Sequence, residues 1–261
     1  MHLRVLSSGS KGNSLLVRHG DASLLVDAGL TAAAMDERLE RARLGIDAVN
    51  GVLVTHGHLD HTRSAGILSR RWRVPLWCAP AVQSNAAIRR SKRMETLSPA
   101  RPLEIGAGAG CDALLAHVHE IPHDAAPTYA VRLEGGGRRA AVLTDMGRPC
   151  DRAAAFLAGA HVLVLEFNYD PELLDAGPYP ASLKRRIRSG RGHLSNAQGA
   201  EMLRALAGPE LHTLVLAHVS ETNNTPEHAR ACAEETLRAI GREDVAVHVA
   251  SQWEVGPNIE V

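Results

Sequence analysis

The feature that most constrains this chain is the run Thr55-His56-Gly57-His58-Leu59-Asp60-His61. It follows residues 51–54 (GVLV), which are typical of a short buried strand, and it precedes residues 62–73, which are typical of a helix. The run therefore lies in a strand-to-helix loop, where side chains can converge at the edge of a sheet. Three imidazoles and a carboxylate are ligands for a divalent transition metal, most naturally zinc. The alternative is a solvated polar loop that is rich in histidine by chance. The HxHxDH spacing at such a junction favours the metal site.

Length and charge limit the class of protein. With 261 residues, of which 45% are hydrophobic, the chain can bury a substantial core. Because no linker, low-complexity stretch or repeat interrupts it, we expect a single domain over residues 1–261. Lys+Arg and Asp+Glu both number 29, so the net charge alone indicates neither a polyanion nor a membrane as partner. The oligomeric state is left open.

The cysteines and the apolar segments predict a cytoplasmic protein. Cys78, Cys111, Cys150 and Cys232 are far apart and form no CxxC pair, which is typical of free thiols in a reducing compartment. The first residues lead directly into strand-like sequence without a signal peptide. No apolar run approaches the ~18 residues of a membrane span, so we expect no membrane association.

Strand-like and helix-like segments alternate along most of the chain. We predict strands at 2–7, 14–18, 23–27, 51–54, 74–78, 102–105, 112–119, 128–133, 139–144, 161–165, 211–217, 245–250 and 253–255. We predict helices at 31–43, 62–73, 80–90, 151–158, 180–189 and 225–240, and a further helix that Ser195 and Gln198 open as a capping box. This alternation indicates an α/β fold.

Ionisable residues stand at or just past the carboxyl ends of several predicted strands. They are Asp27, His56, His123, Asp145, Glu166 and His218. In layered α/β folds these strand ends gather at one edge, where such proteins build their sites. His117 and His119 lie within a predicted strand, and we interpret them as ordinary strand residues.

The segment Ser8-Gly9-Ser10-Lys11-Gly12-Asn13 joins the first two predicted strands and has two interpretations. A loop of Gly, Ser and Asn is usually a turn. It could instead direct its backbone N–H groups at an anion, as phosphate-binding nests do.

The order of these residues resembles the metallo-β-lactamase superfamily, and the resemblance covers essentially the whole chain. It implies the metallo-β-lactamase fold, a four-layer αβ/βα sandwich. Residues 7–14, 192–196 and 216–227 are similar to the YycJ/WalJ branch in particular, whose members are associated with 5′→3′ exonuclease activity on DNA. The resemblance therefore implies a metal-dependent phosphodiesterase.

The resemblance also implies a dinuclear metal site with seven ligands. His56, His58 and His123 would bind one metal, Asp60, His61 and His218 the other, and Asp145 would bridge the two together with a hydroxide, the nucleophile. Two metals roughly 3.5–4 Å apart can clamp the attacking and leaving oxygens of a phosphoryl displacement. Zinc is the first expectation and manganese the alternative. Asp27 would hold a ligand loop in orientation by hydrogen bonds.

Glu166 and His193 are similar to a pair of residues in the phosphodiesterase branches, tRNase Z and the β-CASP nucleases. A Glu-oriented imidazolium could bind a phosphate oxygen and protonate the leaving alkoxide. With Asp60, these two residues form the expected catalytic set. The alternative is that Glu166 caps a turn and His193 packs locally.

The distribution of charge favours a nucleic acid. Residues 184–191 contain five Lys/Arg directly before His193, and residues 89–93 contain four more. We expect His193, Lys184, Arg185 and Arg191 to contact substrate through its phosphates. The aromatic content of 3% leaves few rings on which bases could stack, so reading of the backbone fits better. DNA is expected over RNA.

Two other functions remain open. One is a small-molecule hydrolase that acts on a cyclic phosphodiester, a thioester or a lactone with the same metals. The other is a non-catalytic binding module on a degenerate scaffold, which the complete set of ligand positions disfavours.

Overall fold

Aliphatic and β-branched runs between turn-forming residues fold into strands, mostly where the sequence predicts them. The structure, a computed structural model, describes residues 1–43, 49–106 and 112–261. The strands in these ranges are β1 His2–Ser7, β2 Ser14–His19, β3 Ala22–Val26, β4 Gly51–Leu53, β5 Leu76–Cys78, β6 Met94–Thr96, β7 Leu103–Ile105, β8 Leu114–Ile121, β9 Thr128–Gly135, β10 Arg138–Leu143, β11 Val162–Glu166, β12 Thr213–Ala217, β13 Ala246–Val249 and β14 Ile259–Glu260. They form two mixed sheets, with the orders β14-β1-β2-β3-β4-β5-β6 and β13-β12-β11-β10-β9-β8-β7.

Helices follow many of the strands. They are α1 Ala32–Arg41, α2 Leu59–Thr62, α3 Ala65–Trp72, α4 Asp151–Leu157, α5 Pro171–Ala176, α6 Ala181–Arg188, α7 Asn196–Leu206 and α8 Pro226–Ala239. The capping box predicted at Ser195 is present at the start of α7, where Ser195 and Gln198 exchange side-chain-to-backbone hydrogen bonds. None of the helices in the described ranges is both long enough and apolar enough to cross a membrane.

The chain divides into two units. The first contains Met1–Val118, Leu133–Arg138 and Ser251–Val261, and the second contains His119–Arg132 and Arg139–Ala250. The single domain expected over residues 1–261 stays a prediction.

In the first unit, parallel pairing brings two strand ends together. β3 and β4 are parallel, with Val26 opposite Leu53. The Asp27 N–H donates to the Leu53 carbonyl at 2.7 Å, so Asp27 lies beside the segment that leaves β4. This is the edge from which the HxHxDH loop begins, because the loop follows β4 directly.

In the second unit, strands β10, β11, β12 and β13 run parallel to one another. Leu143 pairs with Leu165, and Glu166 pairs with Ala217, so the carboxyl ends of β10, β11 and β12 are level. Buried aliphatic side chains from these strands and from helices α4, α7 and α8 form the core beneath them. Since burial of such side chains dominates stability, the core fixes where the strand ends lie.

The helix predicted at 62–73 is divided into α2 and α3, β6 and α5 were not predicted, and two further segments differ from their predicted structure. Residues 80–90 form a 3₁₀ turn at Pro80–Val82 followed by further turns, because the Asn85 side chain accepts from the N–H of Ala87 at 2.9 Å and competes with helix formation. Residues 253–255 form a turn because Ser251 Oγ accepts from the N–H groups of Trp253 and Glu254. The last strand is instead β14.

Three of the four cysteines lie within the described residues and are free thiols, as predicted. They are Cys78, Cys150 and Cys232, and Cys111 lies outside the described residues. Burial raises the pKa of the Cys78 thiol to about 12.

Candidate metal centre

The HxHxDH loop of the first unit brings its four ionisable side chains together. His56 Nε2 lies 3.2 Å from His58 Nδ1, and His61 Nε2 lies 3.7 Å from Asp60 Oδ2. The rings of His56 and His61 have centroids 4.1 Å apart, and both residues are 0% exposed. Helix α2 starts at Leu59, so the turn of the helix carries Asp60 and His61 back toward the two histidines that precede it.

Asp27 orients this loop through three hydrogen bonds. Its Oδ1 accepts from the Thr55 N–H, and its Oδ2 accepts from the Thr55 hydroxyl, both at 2.8 Å. Oδ2 also lies 2.7 Å from His61 Nδ1. Because a carboxylate can only accept, His61 carries its proton on Nδ1, which leaves Nε2 as its ligand atom. This is the contact expected of Asp27, although its effect on a metal stays a prediction.

Asn13 is a further contact that the sequence analysis missed. Its Nδ2 lies 3.0 Å from His61 Nε2 and 3.5 Å from Asp60 Oδ2. Its backbone N–H donates to the Asp60 carbonyl at 2.8 Å. The sequence feature that could have indicated this contact is the glycine-rich turn, because a glycine allows two backbones to approach closely. Gly12 has φ +156°, and a Cβ there would lie 2.8 Å from the backbone of Gly29.

The turn that contains Asn13 does not form an anion nest. The N–H groups of residues 8, 9, 11, 12 and 13 all donate to protein acceptors: the Ser251 carbonyl, Asn13 Oδ1, Gln252 Oε1, the Gly9 carbonyl and the Asp60 carbonyl. The structure therefore supports the interpretation of this segment as a turn that packs against the metal loop.

In the second unit, Asp145 lies at the centre of the candidate ligands. Its Oδ1 is 3.5 Å from His218 Nε2 and 3.9 Å from His123 Nε2. Asp145 and His218 follow the level ends of β10 and β12, and all three residues are at most 2% exposed. The ionisable residues that the sequence places at strand ends therefore lie close together within this unit.

Three candidate residues have a backbone conformation that L-residues rarely adopt. The φ angles of Asp27, Asp145 and His218 are +62°, +60° and +54°. Each costs roughly 1–3 kcal/mol and persists only where the surrounding structure imposes it. Backbone strain of this kind is concentrated at functional sites, which supports a functional assignment for these side chains.

Glu166 and His193 form a hydrogen-bonded pair in the same unit. Glu166 Oε1 lies 2.7 Å from His193 Nδ1, and Glu166 Oε2 accepts from the Met146 N–H at 2.7 Å. Glu166 is 0% exposed, whereas the His193 side chain is 22% exposed. His193 Nδ1 also lies 3.7 Å from Asp145 Oδ1. The His193 ring therefore lies beside the candidate ligands Asp145 and His218, and its role in the reaction stays a prediction.

The loop before His193 is fixed by backbone contacts. His123 Nδ1 lies 2.9 Å from the Gly192 carbonyl, which accepts and so leaves His123 Nε2 as the ligand atom. A Cβ at Gly147 would lie 2.4 Å from Arg191 Cα, so the two segments touch through their backbones. Sequence reasoning could not find these contacts because they join segments far apart in the chain.

His218 is held by Asn168, which the sequence analysis also missed. Asn168 Nδ2 donates to the His218 carbonyl at 2.7 Å and lies 2.9 Å from His218 Nδ1. Asn168 follows Glu166 by two residues, so the end of β11 supports both His193 and His218. His117 and His119 are strand residues, as interpreted: His117 lies near Glu134, and the His119 ring stacks on Phe156.

Several basic side chains of α6 are engaged with acceptors of the protein, so fewer of them can bind a substrate than their number suggests. Arg186 pairs with Asp124, Arg188 pairs with Asp175, and Lys184 donates to the Asp175 carbonyl. Among the described residues, the guanidinium groups of Arg185 and Arg191 have no ion-pair partner. The charge expected to contact substrate is thus concentrated at these two positions.

Both units offer donor sets that suit a divalent metal. In the second unit, Asp145, His193 and His218 could each offer an atom to a metal, and these atoms all lie within 4.8 Å of one another. In the first unit, the nitrogens of His56 and His58 and the carboxylate of Asp60 are gathered on one loop. Imidazole nitrogen and carboxylate oxygen suit zinc and manganese alike. The assignment of individual ligands stays a prediction.

Comparisons with known proteins agree in the family they indicate. Residues 8–218 match the sequence profile described as the Metallo-beta-lactamase superfamily. The chain is 35% identical over 247 residues to the exodeoxyribonuclease YycJ of Bacillus anthracis, a match that covers 92% of this chain and 90% of that protein. It is 31% identical over 227 residues to the exodeoxyribonuclease WalJ of Streptococcus pneumoniae, covering 86% and 84%. The crystal structure of the metallo-beta-lactamase fold protein YhfI from Bacillus subtilis is similar, with a TM-score of 0.72, 17% identity and coverage of 97% and 98%.

Proposed function

Because the chain belongs to the metallo-beta-lactamase superfamily and is a metal-dependent hydrolase, we propose that it cleaves phosphodiester bonds in DNA. It has the metallo-beta-lactamase fold, with two mixed sheets and helices, as the sequence analysis expected. The finer proposal is a 5′→3′ exonuclease. The names of two relatives support exonuclease action on DNA, and the branch motifs of the sequence support the polarity.

The observation that carries this proposal is the Glu166–His193 pair beside Asp145. A phosphodiester leaves an alkoxide when its P–O bond breaks, and that alkoxide needs a proton. The His193 ring is partly exposed, and its Nδ1 is committed to Glu166 at 2.7 Å. We propose that the opposite nitrogen, Nε2, donates the proton to the leaving oxygen.

Each remaining candidate residue has a holding or orienting role. Two divalent metal ions, when bound, would polarise the phosphoryl group and activate the attacking water. The proposed ligands are His56, His58, Asp60, His61, His123, Asp145 and His218. Asp27 would orient His61, and Asn168 would orient His218, through the contacts described above. Asn13 would hold the backbone of Asp60 through its N–H. Zinc is proposed over manganese because histidine provides five of the seven ligands.

The alternative is a hydrolase of a small molecule, such as a cyclic phosphodiester, a thioester or a lactone. One observation favours it: Lys184, Arg186 and Arg188 are engaged with acceptors of the protein itself, which weakens the argument for a polyanionic substrate. A cytoplasmic location is proposed on the basis of the free thiols at Cys78, Cys150 and Cys232.

The test is metal analysis of the purified protein, followed by digestion of 5′- and 3′-end-labelled duplex DNA, single-stranded DNA and RNA. We expect two equivalents of metal and stepwise loss of nucleotides from the 5′ end of DNA. A metal-loaded protein that degrades no nucleic acid but hydrolyses a thioester or a lactone would contradict the proposal.

A charge-reversal variant separates the two candidates further. Lys184→Glu with Arg185→Glu should weaken DNA cleavage relative to wild type, most strongly at low salt, because fewer phosphates are neutralised. Hydrolysis of bis(p-nitrophenyl) phosphate should persist, since this small diester has no further phosphate for these side chains to neutralise. Equal loss of both activities would indicate damage to the fold rather than to DNA binding.

A further inference from the structure

A cavity of about 400 Å³ lies beside His123 in the second unit. Its lining comes from Glu120–His123, Ala126, Arg148 and Ser189–Arg191. The volume falls in the range of ligand-binding pockets. Since His123 is a proposed metal ligand, the cavity adjoins the place where the proposed reaction occurs.

Two arginines give the cavity its charge. Arg148 and Arg191 are exposed, and within the described parts of the chain neither guanidinium forms an ion pair or a side-chain hydrogen bond. This distinguishes them from Arg186 and Arg188 of α6, which are paired with carboxylates. An arginine without a partner at a cavity can give its fork of donors to an external anion.

Close contacts with glycines fix the backbone of Arg191 and the stem of Arg148. Arg191 Cα lies against Gly147, and the side-chain stem of Arg148 passes Gly190, where a Cβ would lie 3.5 Å from Arg148 Cδ. Ser189 Oγ donates to the Arg186 carbonyl at 2.7 Å and lies 3.3 Å from the Arg191 N–H. The hydrogen bonds of Ser189 thus fix the loop backbone from which Arg191 extends.

One acidic group opposes this charge. Glu120 is exposed and lines the same cavity. Two guanidinium groups and one carboxylate leave a net positive cavity, which suits one phosphate better than a densely charged anion.

We propose that this cavity binds a non-scissile phosphate of the DNA substrate, with Arg148 and Arg191 as its specificity-determining residues. The inference rests on the proposed function and adds to it. The phosphate is either the 5′-terminal monoester or the internal diester next to the scissile bond, and both offer oxygens that match a guanidinium.

The test compares Arg148→Ala, Arg191→Ala and the double variant with wild type. The substrates are duplex DNA with a 5′-phosphate, the same duplex with a 5′-hydroxyl, and bis(p-nitrophenyl) phosphate, which has a single phosphate. We expect KM for DNA to rise about 10-fold or more per variant, while kcat/KM for the small diester changes less than about twofold. The log–log salt slope of DNA binding should fall by about 0.7–0.9 for each phosphate that the variant no longer neutralises.

Three further variants test whether the change in KM depends on the charge and shape of the cavity. Arg152→Ala removes an exposed arginine on α4 that does not line the cavity, so KM should stay at the wild-type value. Glu120→Gln removes the opposing charge and should lower KM. Arg148→Lys keeps the charge without the fork and should restore part of the affinity that Arg148→Ala removes.

The outcomes separate the possibilities. A rise in KM only for 5′-phosphorylated DNA assigns the cavity to the terminal monoester, and an equal rise for both duplexes assigns it to the internal diester. A double variant with wild-type KM and salt slope overturns this inference alone. A wild type that cleaves no DNA overturns the proposed function and this inference together.

Discussion

Glu166 holds His193 by one carboxylate oxygen and the backbone of Met146 by the other, both at 2.7 Å. Met146 directly follows Asp145, so one buried carboxylate links the proposed proton donor to the segment that carries a proposed metal ligand. A group fixed in this way loses little entropy when it acts on a substrate.

His193→Ala should lower kcat for DNA cleavage by about 10²–10⁴, because the leaving oxygen then has no positioned acid. Metal content, measured by elemental analysis, should remain that of wild type. Glu166→Gln should also lower kcat, and the double variant should be little worse than His193→Ala, since both residues act as one unit. Loss of bound metal in His193→Ala would instead identify this histidine as a ligand.

Asp27→Asn should weaken metal binding about 10–100-fold. The asparagine cannot accept from the Thr55 N–H, the Thr55 hydroxyl and His61 Nδ1 in the same geometry, so His61 loses its fixed tautomer. Titration with buffered zinc measures the effect. Asp36→Asn, which breaks a surface pair with Arg71, is the matched control and should leave zinc affinity unchanged. Equal zinc affinity in both variants would contradict the role of Asp27.

Gly147→Ala should displace the loop that carries Arg191 and His193. The added Cβ would lie 2.4 Å from Arg191 Cα, so one backbone must move. We expect a loss of about 1–3 kcal/mol in the free energy of unfolding, together with a lower kcat. Gly208→Ala is the control, because its Cβ meets only the flexible end of the Glu210 side chain at 3.2 Å. Wild-type stability and kcat in Gly147→Ala would show that the two backbones are not tightly packed.

Removal of metal should destabilise the protein as well as abolish activity. A ligand that binds only the folded state at 1,000 times its Kd contributes about 4 kcal/mol. The thermal unfolding midpoint should therefore fall when EDTA is added and recover with zinc or manganese, and the ion that restores more at equal free concentration binds more tightly. Calorimetry gives this measurement without a substrate. An identical midpoint with and without EDTA would argue against a metal held by the buried ligands.

Cys78 should resist alkylation in the folded protein. Burial raises the pKa of its thiol from 9.0 to about 12, because the thiolate is poorly solvated there. At pH 8 the thiolate is therefore scarce, and reaction should accelerate only as the pH approaches 12 or when the protein unfolds. Peptide mapping by mass spectrometry after iodoacetamide treatment compares it with the half-buried Cys150, which should react faster. Equal rates at both cysteines would contradict the prediction.

The sequence predicts the clusters within each unit because parallel strands place their ends at one edge. Asp145, Glu166 and His218 could be brought together by this rule alone, since β10, β11 and β12 are consecutive neighbours. Residue types then indicated the chemistry, because few other functions require so many imidazoles beside carboxylates.

Supporting contacts could not be predicted, because they depend on how distant segments pack. Nothing in the sequence indicates that Asn13 reaches His61, or that the Gly192 carbonyl fixes the tautomer of His123. The availability of charged side chains could not be predicted either. The sequence gives the number of arginines in α6, whereas their freedom to bind a substrate depends on ion pairs with Asp124 and Asp175 from other segments.

The left-handed backbone at Asp27, Asp145 and His218 affects how the sequence of this protein can evolve. A glycine at any of the three would relax the local backbone but would also remove the contacts of the side chain, such as those of Asp27 with Thr55. The backbone conformation alone therefore gives no reason to retain these side chains. In a homologue that is no longer selected for catalysis, substitutions should appear at these three positions before they appear in the aliphatic core.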